Sequence, residues 1–125
     1  MSLTFKLAGL GLLFLFMLFS GIWLTRTGMP YSPVLYNVHK LLSLAAVIAA
    51  GIWAYILYRN TGGTNLQLAM MIAAGILFLI LLITGGLLNQ DLPYHNTLQT
   101  VHRILPIIAI AVTAFLYYLL LKNNP

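Results

Sequence analysis

Two histidines in otherwise apolar stretches are the residues of this chain best suited to chemistry. His39 and His102 each lie in a segment with the pattern V-H-[KR]-[LI], at Val38–Leu41 and Val101–Ile104. An imidazole can ligate a metal, hydrogen-bond a ligand or carry a proton, and inside a membrane span it is a functional candidate by default. The same group also joins helices through hydrogen bonds to Ser, Thr or a backbone carbonyl. The pattern therefore indicates either a ligand site or a structural polar layer.

The rest of the composition excludes most other chemistry. Of 125 residues, 62% are hydrophobic, with six Lys/Arg, one Asp/Glu and no Cys. The absence of Cys excludes disulfides, thiolate metal sites and iron–sulfur clusters. The lone acid, Asp91, lies between apolar stretches, so no buried carboxylate is predicted for proton-coupled transport. The basic residues are isolated, so the net charge of +5 does not predict a nucleic-acid partner.

The histidines must be positioned by membrane-spanning helices. A helix needs about 20 mostly apolar residues to cross a hydrocarbon core of about 30 Å. Four stretches meet this length: Leu7–Thr25, Val34–Tyr58, Leu66–Leu88 and Thr97–Leu121. Short connections with turn residues join antiparallel neighbours. We therefore expect an all-α membrane protein, an up-down bundle of four transmembrane helices forming one domain over residues 1–125, with lipid as its surroundings.

An internal repeat relates the two halves of the chain. Residues 30–42 align with residues 93–105 in the pattern P-Y-x-x-x-L-x-x-V-H-[KR]-[LI]-L. Pro, Tyr, His and a basic residue at fixed offsets do not coincide by chance as apolar residues do. The repeat unit is a helical hairpin, over about 5–59 and again over about 66–122. Both hairpins run in the same direction, which predicts a pseudo-two-fold axis along the membrane normal.

The repeat predicts that His39 and His102 lie at equal depth and face one another across the bundle. Helical spacing places each histidine on a stripe of mostly small residues, which mark helix–helix interfaces in bilayers. Those residues are Ser43, Ala46 and Ala50 in the first repeat, and Pro106, Ala109 and Thr113 in the second. The pair Ser20-Gly21 matches Thr84-Gly85, which brings glycines to the same depth. Glycine there leaves room for a flat ligand or for close packing.

Two neutral imidazoles at equal depth in an apolar bundle fit the axial ligation of one haem b. His39 and His102 would ligate the iron, and Gly21 and Gly85 would admit the edges of the macrocycle. Basic side chains near a membrane face can pair with the haem propionates. The expected partners are Lys40, Arg103 and Arg26.

On the two V-H-[KR]-[LI] segments, the chain resembles the four-helix transmembrane b-type cytochromes. The resemblance implies electron transfer through haem, without bond-making chemistry, between a quinol or a redox partner protein and an acceptor. Such cytochromes often hold two haems with four histidines. Here the only other histidine, His95, has no repeat mate because Ser32 stands at the equivalent position. At most one bis-histidine haem is therefore expected.

Two alternatives stay open, together with the orientation. The same layer could bind a quinone or another small apolar ligand, or it could only pack helices in a non-enzymatic accessory or assembly subunit. Lys6, Arg59 and Lys122 lie on the side of the chain termini, against Arg26, Lys40 and Arg103 on the other. Lys40 and Arg103 lie inside helices beside the histidines, and without them the positive-inside rule favours cytoplasmic termini, in a prokaryotic inner or plasma membrane.

Overall fold

The chain folds into four long helices. A computed structural model describes residues 2–122 and contains α1 (Leu3–Thr27), α2 (Pro33–Asn60), α3 (Asn65–Leu88) and α4 (His95–Lys122), with no β-strand within that range. All four helices are long and apolar enough to cross a membrane. The predicted fold class, an all-α membrane protein of the four-helix type, is confirmed.

The first helix is longer than its apolar stretch because its ends are set by backbone hydrogen bonds. The Ser2 hydroxyl accepts the N–H of Phe5 at 3.2 Å, so α1 begins at Leu3 rather than at Leu7. At the other end, Gly28 has a φ of 68° and donates its N–H to the Leu24 carbonyl at 3.1 Å. Glycine adopts this backbone conformation at little cost, which ends the helix there.

A buried glutamine connects α3 to α4. Thr64 and Gln67 form a capping box, in which the Thr64 hydroxyl accepts the Gln67 N–H at 3.1 Å and the Gln67 side chain accepts the Thr64 N–H at 3.0 Å. The Gln67 amide also donates to the Leu119 carbonyl in α4 at 3.3 Å. Gln67 is only 1% exposed, whereas its capping partner Thr64 is exposed, so these bonds tie a buried amide to the end of the helix.

The described residues divide into two compact units, with the boundary between Ala50 and Gly51 inside α2. The first unit holds α1 and the beginning of α2. The second holds the end of α2 with α3 and α4, and there the Tyr117 side chain hydrogen-bonds to the backbone of Ala54. The boundary thus lies within a helix and not in the loop that separates the two sequence repeats.

The burial pattern fits helices surrounded by lipid. Large apolar side chains are exposed along the helices, and Leu41 and Ile107 are 64% and 70% exposed. In water such a surface would be unfavourable, but in hydrocarbon it needs no cover. Small residues of the predicted stripes are buried instead: Ala46 and Ala109 are fully so. The spacing argument therefore identified the less exposed face of α2 and α4.

Candidate histidine site

The ring of His39 is held by α1. Its Nδ1 lies 2.8 Å from the Ser20 hydroxyl oxygen and 3.1 Å from the Met17 carbonyl oxygen. The Ser20 hydroxyl itself donates to the Met17 carbonyl at 2.9 Å. Because a hydroxyl has one proton, both Ser20 bonds form together only when its oxygen accepts from His39 Nδ1. The Met17 carbonyl beside the same nitrogen can only accept, so this geometry favours a proton on His39 Nδ1.

The ring of His102 is held by α3 in the same way. Its Nδ1 lies 2.8 Å from the Thr84 hydroxyl oxygen, and that hydroxyl donates to the Leu81 carbonyl at 3.1 Å. Ser20 and Thr84 are both buried, so neither bond competes with bulk water. Both Thr84 bonds form together only when its oxygen accepts from His102 Nδ1. The geometry therefore favours the same protonated nitrogen in both histidines.

This hydrogen bonding determines which nitrogen can act as a ligand. A neutral imidazole carries one N–H and one lone pair, on opposite nitrogens. With the proton on Nδ1, the lone pair lies on Nε2 in both rings. A histidine that ligates a metal commonly donates its other ring N–H to a fixed acceptor, which sets the tautomer and the ring orientation. His39 and His102 both have this arrangement.

The two matched glycines contact the imidazole rings themselves. A Cβ added to Gly21 would lie 2.9 Å from His39 Cε1, and one added to Gly85 would lie 3.1 Å from His102 Cε1. Both distances are shorter than ordinary van der Waals contact, so each glycine makes room for a histidine ring. The sequence interpretation assigned this room to a porphyrin edge, and that role stays a prediction.

Each hairpin therefore contains what we term an imidazole clamp. In a clamp, a hydroxyl residue accepts from histidine Nδ1, and the glycine that follows it lies against Cε1. The clamps are Ser20-Gly21 on His39 and Thr84-Gly85 on His102. The sequence prediction assigned a role only to the glycines of these pairs. The hydroxyl residues precede their histidines by 19 residues in the first repeat and 18 in the second, and this near-match was the signal that could have identified them.

The backbone one turn after each histidine is also modified. The Ser43 hydroxyl donates to the His39 carbonyl at 2.7 Å, a type of bond that bends helices. Pro106 occupies the equivalent position after His102 and has no N–H to donate to that carbonyl. The carbonyl of His39 thus accepts a side-chain hydrogen bond, whereas the carbonyl of His102 lacks the backbone donor that a regular helix provides one turn later.

The three basic residues predicted to hold propionates have exposed side chains. Arg26 lies in the last turn of α1, whereas Lys40 and Arg103 directly follow the two histidines. Long basic side chains in such positions extend toward the headgroup region. Their contact with a propionate stays a prediction. His95 begins α4, away from both clamps along the chain.

The donor set restricts the kind of metal site. Among residues 2–122, no group of three or more His, Asp or Glu side chains could hold a metal ion. A metal bound here would therefore need most of its ligands from a non-protein group, as haem iron does. Comparison with family models, curated proteins and solved structures gives no match to this chain. A functional argument for this chain therefore starts from the chemistry of its own residues.

Proposed function

We propose that this chain is a membrane electron-transfer protein that binds one haem b through His39 and His102. The observation that carries the proposal is the pair of 2.8 Å bonds from histidine Nδ1 to a buried hydroxyl, one in each repeat. These bonds support a lone pair on Nε2 of both rings. Haem iron in b-type cytochromes takes two such nitrogens as axial ligands.

The chemistry of the donor set fits this group. Two neutral imidazoles add no charge, which suits an apolar interior better than carboxylate ligands would. Bis-histidine haem supplies one-electron oxidation and reduction, and the surrounding side chains set its potential. The chain's own contribution is to hold the rings, to keep water away from them through apolar helices, and to offer basic groups near the membrane face.

The remaining site residues have supporting roles in this proposal. Gly21 and Gly85 would admit the macrocycle beside the rings they already accommodate. The exposed side chains of Lys40, Arg103 and Arg26 would pair with the propionates. A quinol or a redox partner protein would supply the electrons, and an acceptor would take them up.

A structural polar layer is the second candidate, and one observation favours it. Each imidazole already has a hydrogen-bonded partner within its own hairpin, as helix-packing histidines do. In that case the chain is an accessory or assembly subunit without a cofactor. A third candidate is that the same layer binds a quinone or another small apolar ligand.

An absorption spectrum of the purified protein tests the proposal. Protein from haem-replete cells should be red, with a Soret band that shifts on reduction by dithionite. His39→Ala and His102→Ala should each abolish the six-coordinate spectrum, whereas His95→Ala, in the third histidine, should keep it. Colourless wild-type protein that also fails to take up added haem would refute the proposal. Extractable quinone in that colourless protein would support the third candidate.

We also propose an orientation with both termini in the cytoplasm of a prokaryotic cell. Four spans return the chain to its starting side. Lys6 and Lys122 lie near the ends of the chain and Arg59 lies in the last turn of α2, on that same side. The positive-inside rule then favours this side as cytoplasmic.

A further inference from the structure

We propose that Ser20 and Thr84 are positioning residues that fix the tautomer of the two histidines and strengthen them as ligands. The tautomer part of this inference stands on the clamps alone. The ligand-strength part rests on the proposed haem function.

The hydroxyls make both of their bonds only when they accept from the rings. Each then directs its proton to the carbonyl three residues before it in its own helix, at 2.9 Å for Ser20 and 3.1 Å for Thr84. With an imidazole protonated on Nε2, the hydroxyl would have to turn its proton from that carbonyl to the lone pair of Nδ1. The clamp thus favours the Nδ1–H form because the alternative loses a buried hydrogen bond.

The clamps also limit rotation of the rings. The hydroxyl lies at Nδ1, and the next residue, Gly21 or Gly85, lies against the adjacent ring atom Cε1. Two contacts on neighbouring ring atoms fix both the position and the plane of the ring. Because the two contacting residues are consecutive in one helix, the position and rotation of that helix set the position and orientation of the imidazole.

A hydrogen bond from the second ring nitrogen raises the basicity of a metal-bound histidine. Loss of such an acceptor typically lowers metal affinity by about 10–100-fold. It also weakens donation to the oxidised iron more than to the reduced iron, so the reduction potential should rise. Ser20 and Thr84 would therefore affect a haem without touching it.

The tautomer is tested on the haem-free, full-length protein in detergent micelles or nanodiscs. NMR shifts of the ring nitrogens, read on isotope-labelled histidine, distinguish the two neutral forms. We expect His102 in the Nδ1–H form in wild type and in Thr84→Ser, and a mixture or the other form in Thr84→Val. Thr113→Val is the matched control, since Thr113 donates to the Ala109 carbonyl at 2.7 Å on α4. It should leave the His102 shifts unchanged.

Ser20→Ala provides the comparison in the first repeat. The Met17 carbonyl lies 3.1 Å from His39 Nδ1 and can take over as acceptor. We therefore expect Ser20→Ala to keep the Nδ1–H form of His39 with a smaller change in its shifts. An Nε2–H form in the wild-type protein, or identical shifts in wild type and Thr84→Val, would overturn the inference whatever the protein binds.

Haem titration then tests ligand strength. Thr84→Val should bind haem about 10-fold or more weakly than wild type and have a higher midpoint potential. Thr84→Ser and Thr113→Val should resemble wild type in both measurements. Unchanged affinity and potential in Thr84→Val would refute the ligand-strength part. Correct tautomers in a protein that takes up no haem would instead refute the proposed function and leave the clamps intact.

Discussion

An imidazole on a membrane-spanning helix has two ring nitrogens, and each needs a bonding partner where little water is present to supply one. In both repeats one nitrogen is bonded to a buried hydroxyl at 2.8 Å, and that hydroxyl is in turn bonded to its own helix. This arrangement favours the tautomer protonated on Nδ1, the form in which both bonds of the hydroxyl are made. The proposed ligand role of the rings requires this form, because it leaves the lone pair on Nε2.

Substitution of the clamp glycines should disturb the histidine rings, and more so where less space is available beside the ring. A Cβ would lie 2.9 Å from the His39 ring in Gly21→Ala and 3.1 Å from the His102 ring in Gly85→Ala. We expect both to destabilise the protein, by about 1–3 kcal/mol, with Gly21→Ala the more severe. Gly86→Ala is the matched control because its Cβ would meet nothing within 4 Å.

Thermal unfolding in detergent measures this effect without requiring a cofactor. Gly86→Ala should be neutral or stabilising by up to about 1 kcal/mol, since alanine favours helix over glycine. Equal unfolding temperatures for Gly85→Ala and Gly86→Ala would mean that the glycine–imidazole contact has no structural weight.

The sequence identified His39 and His102 as the candidate site residues, but it did not predict their hydrogen-bond partners. Spacing along α2 and α4 identified the stripe of each histidine, because helical periodicity is a property of one segment. The bond from His39 to Ser20 joins residues in two helices whose rotation about their axes is set by packing. A single sequence gives no direct information on this rotation. The only indication of it here is the Ser/Thr-Gly pair that occurs in both repeats.

Helix ends in this chain follow backbone hydrogen bonds rather than hydropathy. The predicted stretch Thr97–Leu121 became α4 at His95–Lys122, and Val34–Tyr58 became α2 at Pro33–Asn60. Polar residues at the membrane face continue a helix when their N–H and C=O groups have partners within it. The apolar pattern therefore located each span but underestimated its length by a few residues.

The pairing of α3 with α4 should depend on Gln67. Gln67→Leu removes the buried amide that bonds to the Thr64 N–H and to the Leu119 carbonyl. We expect a loss of roughly 1 kcal/mol in unfolding free energy, because a hydrogen bond contributes about 0.5–1.5 kcal/mol net. Thermal or denaturant unfolding in detergent provides the measurement.

Thr64→Ser is the appropriate comparison for Gln67→Leu. It keeps a hydroxyl acceptor for the Gln67 N–H and should change stability by only a few tenths of a kcal/mol or less. A Gln67→Leu variant as stable as Thr64→Ser would show that the bond between α3 and α4 does not contribute to the fold.

The chain as a whole carries its few charges near the helix ends. Lys6, Arg59 and Lys122 are on the side of the termini, while Arg26 lies at the opposite end of α1. Lys40 and Arg103 follow the histidines and have a separate proposed role. The fold class and the number of spans could be predicted because apolar length alone determines them. The bonds between helices could not, since they depend on packing.

Reporter fusions at the C-terminus test the proposed orientation. A green fluorescent protein fused there should fluoresce, and an alkaline phosphatase fused there should be inactive, if that end is cytoplasmic. A second pair of fusions in the loop after α1 should give the opposite result. An active phosphatase at the C-terminus would reverse the orientation and place the clamps near the cytoplasmic face.

Because each imidazole is held by the helix that precedes it in its own hairpin, a substitution in one hairpin need not disturb the ring in the other. The two hairpins already differ in this way: Ser20 corresponds to Thr84 and Lys40 to Arg103, and both rings keep their support. The surroundings of each histidine can therefore be altered by mutation independently of its counterpart.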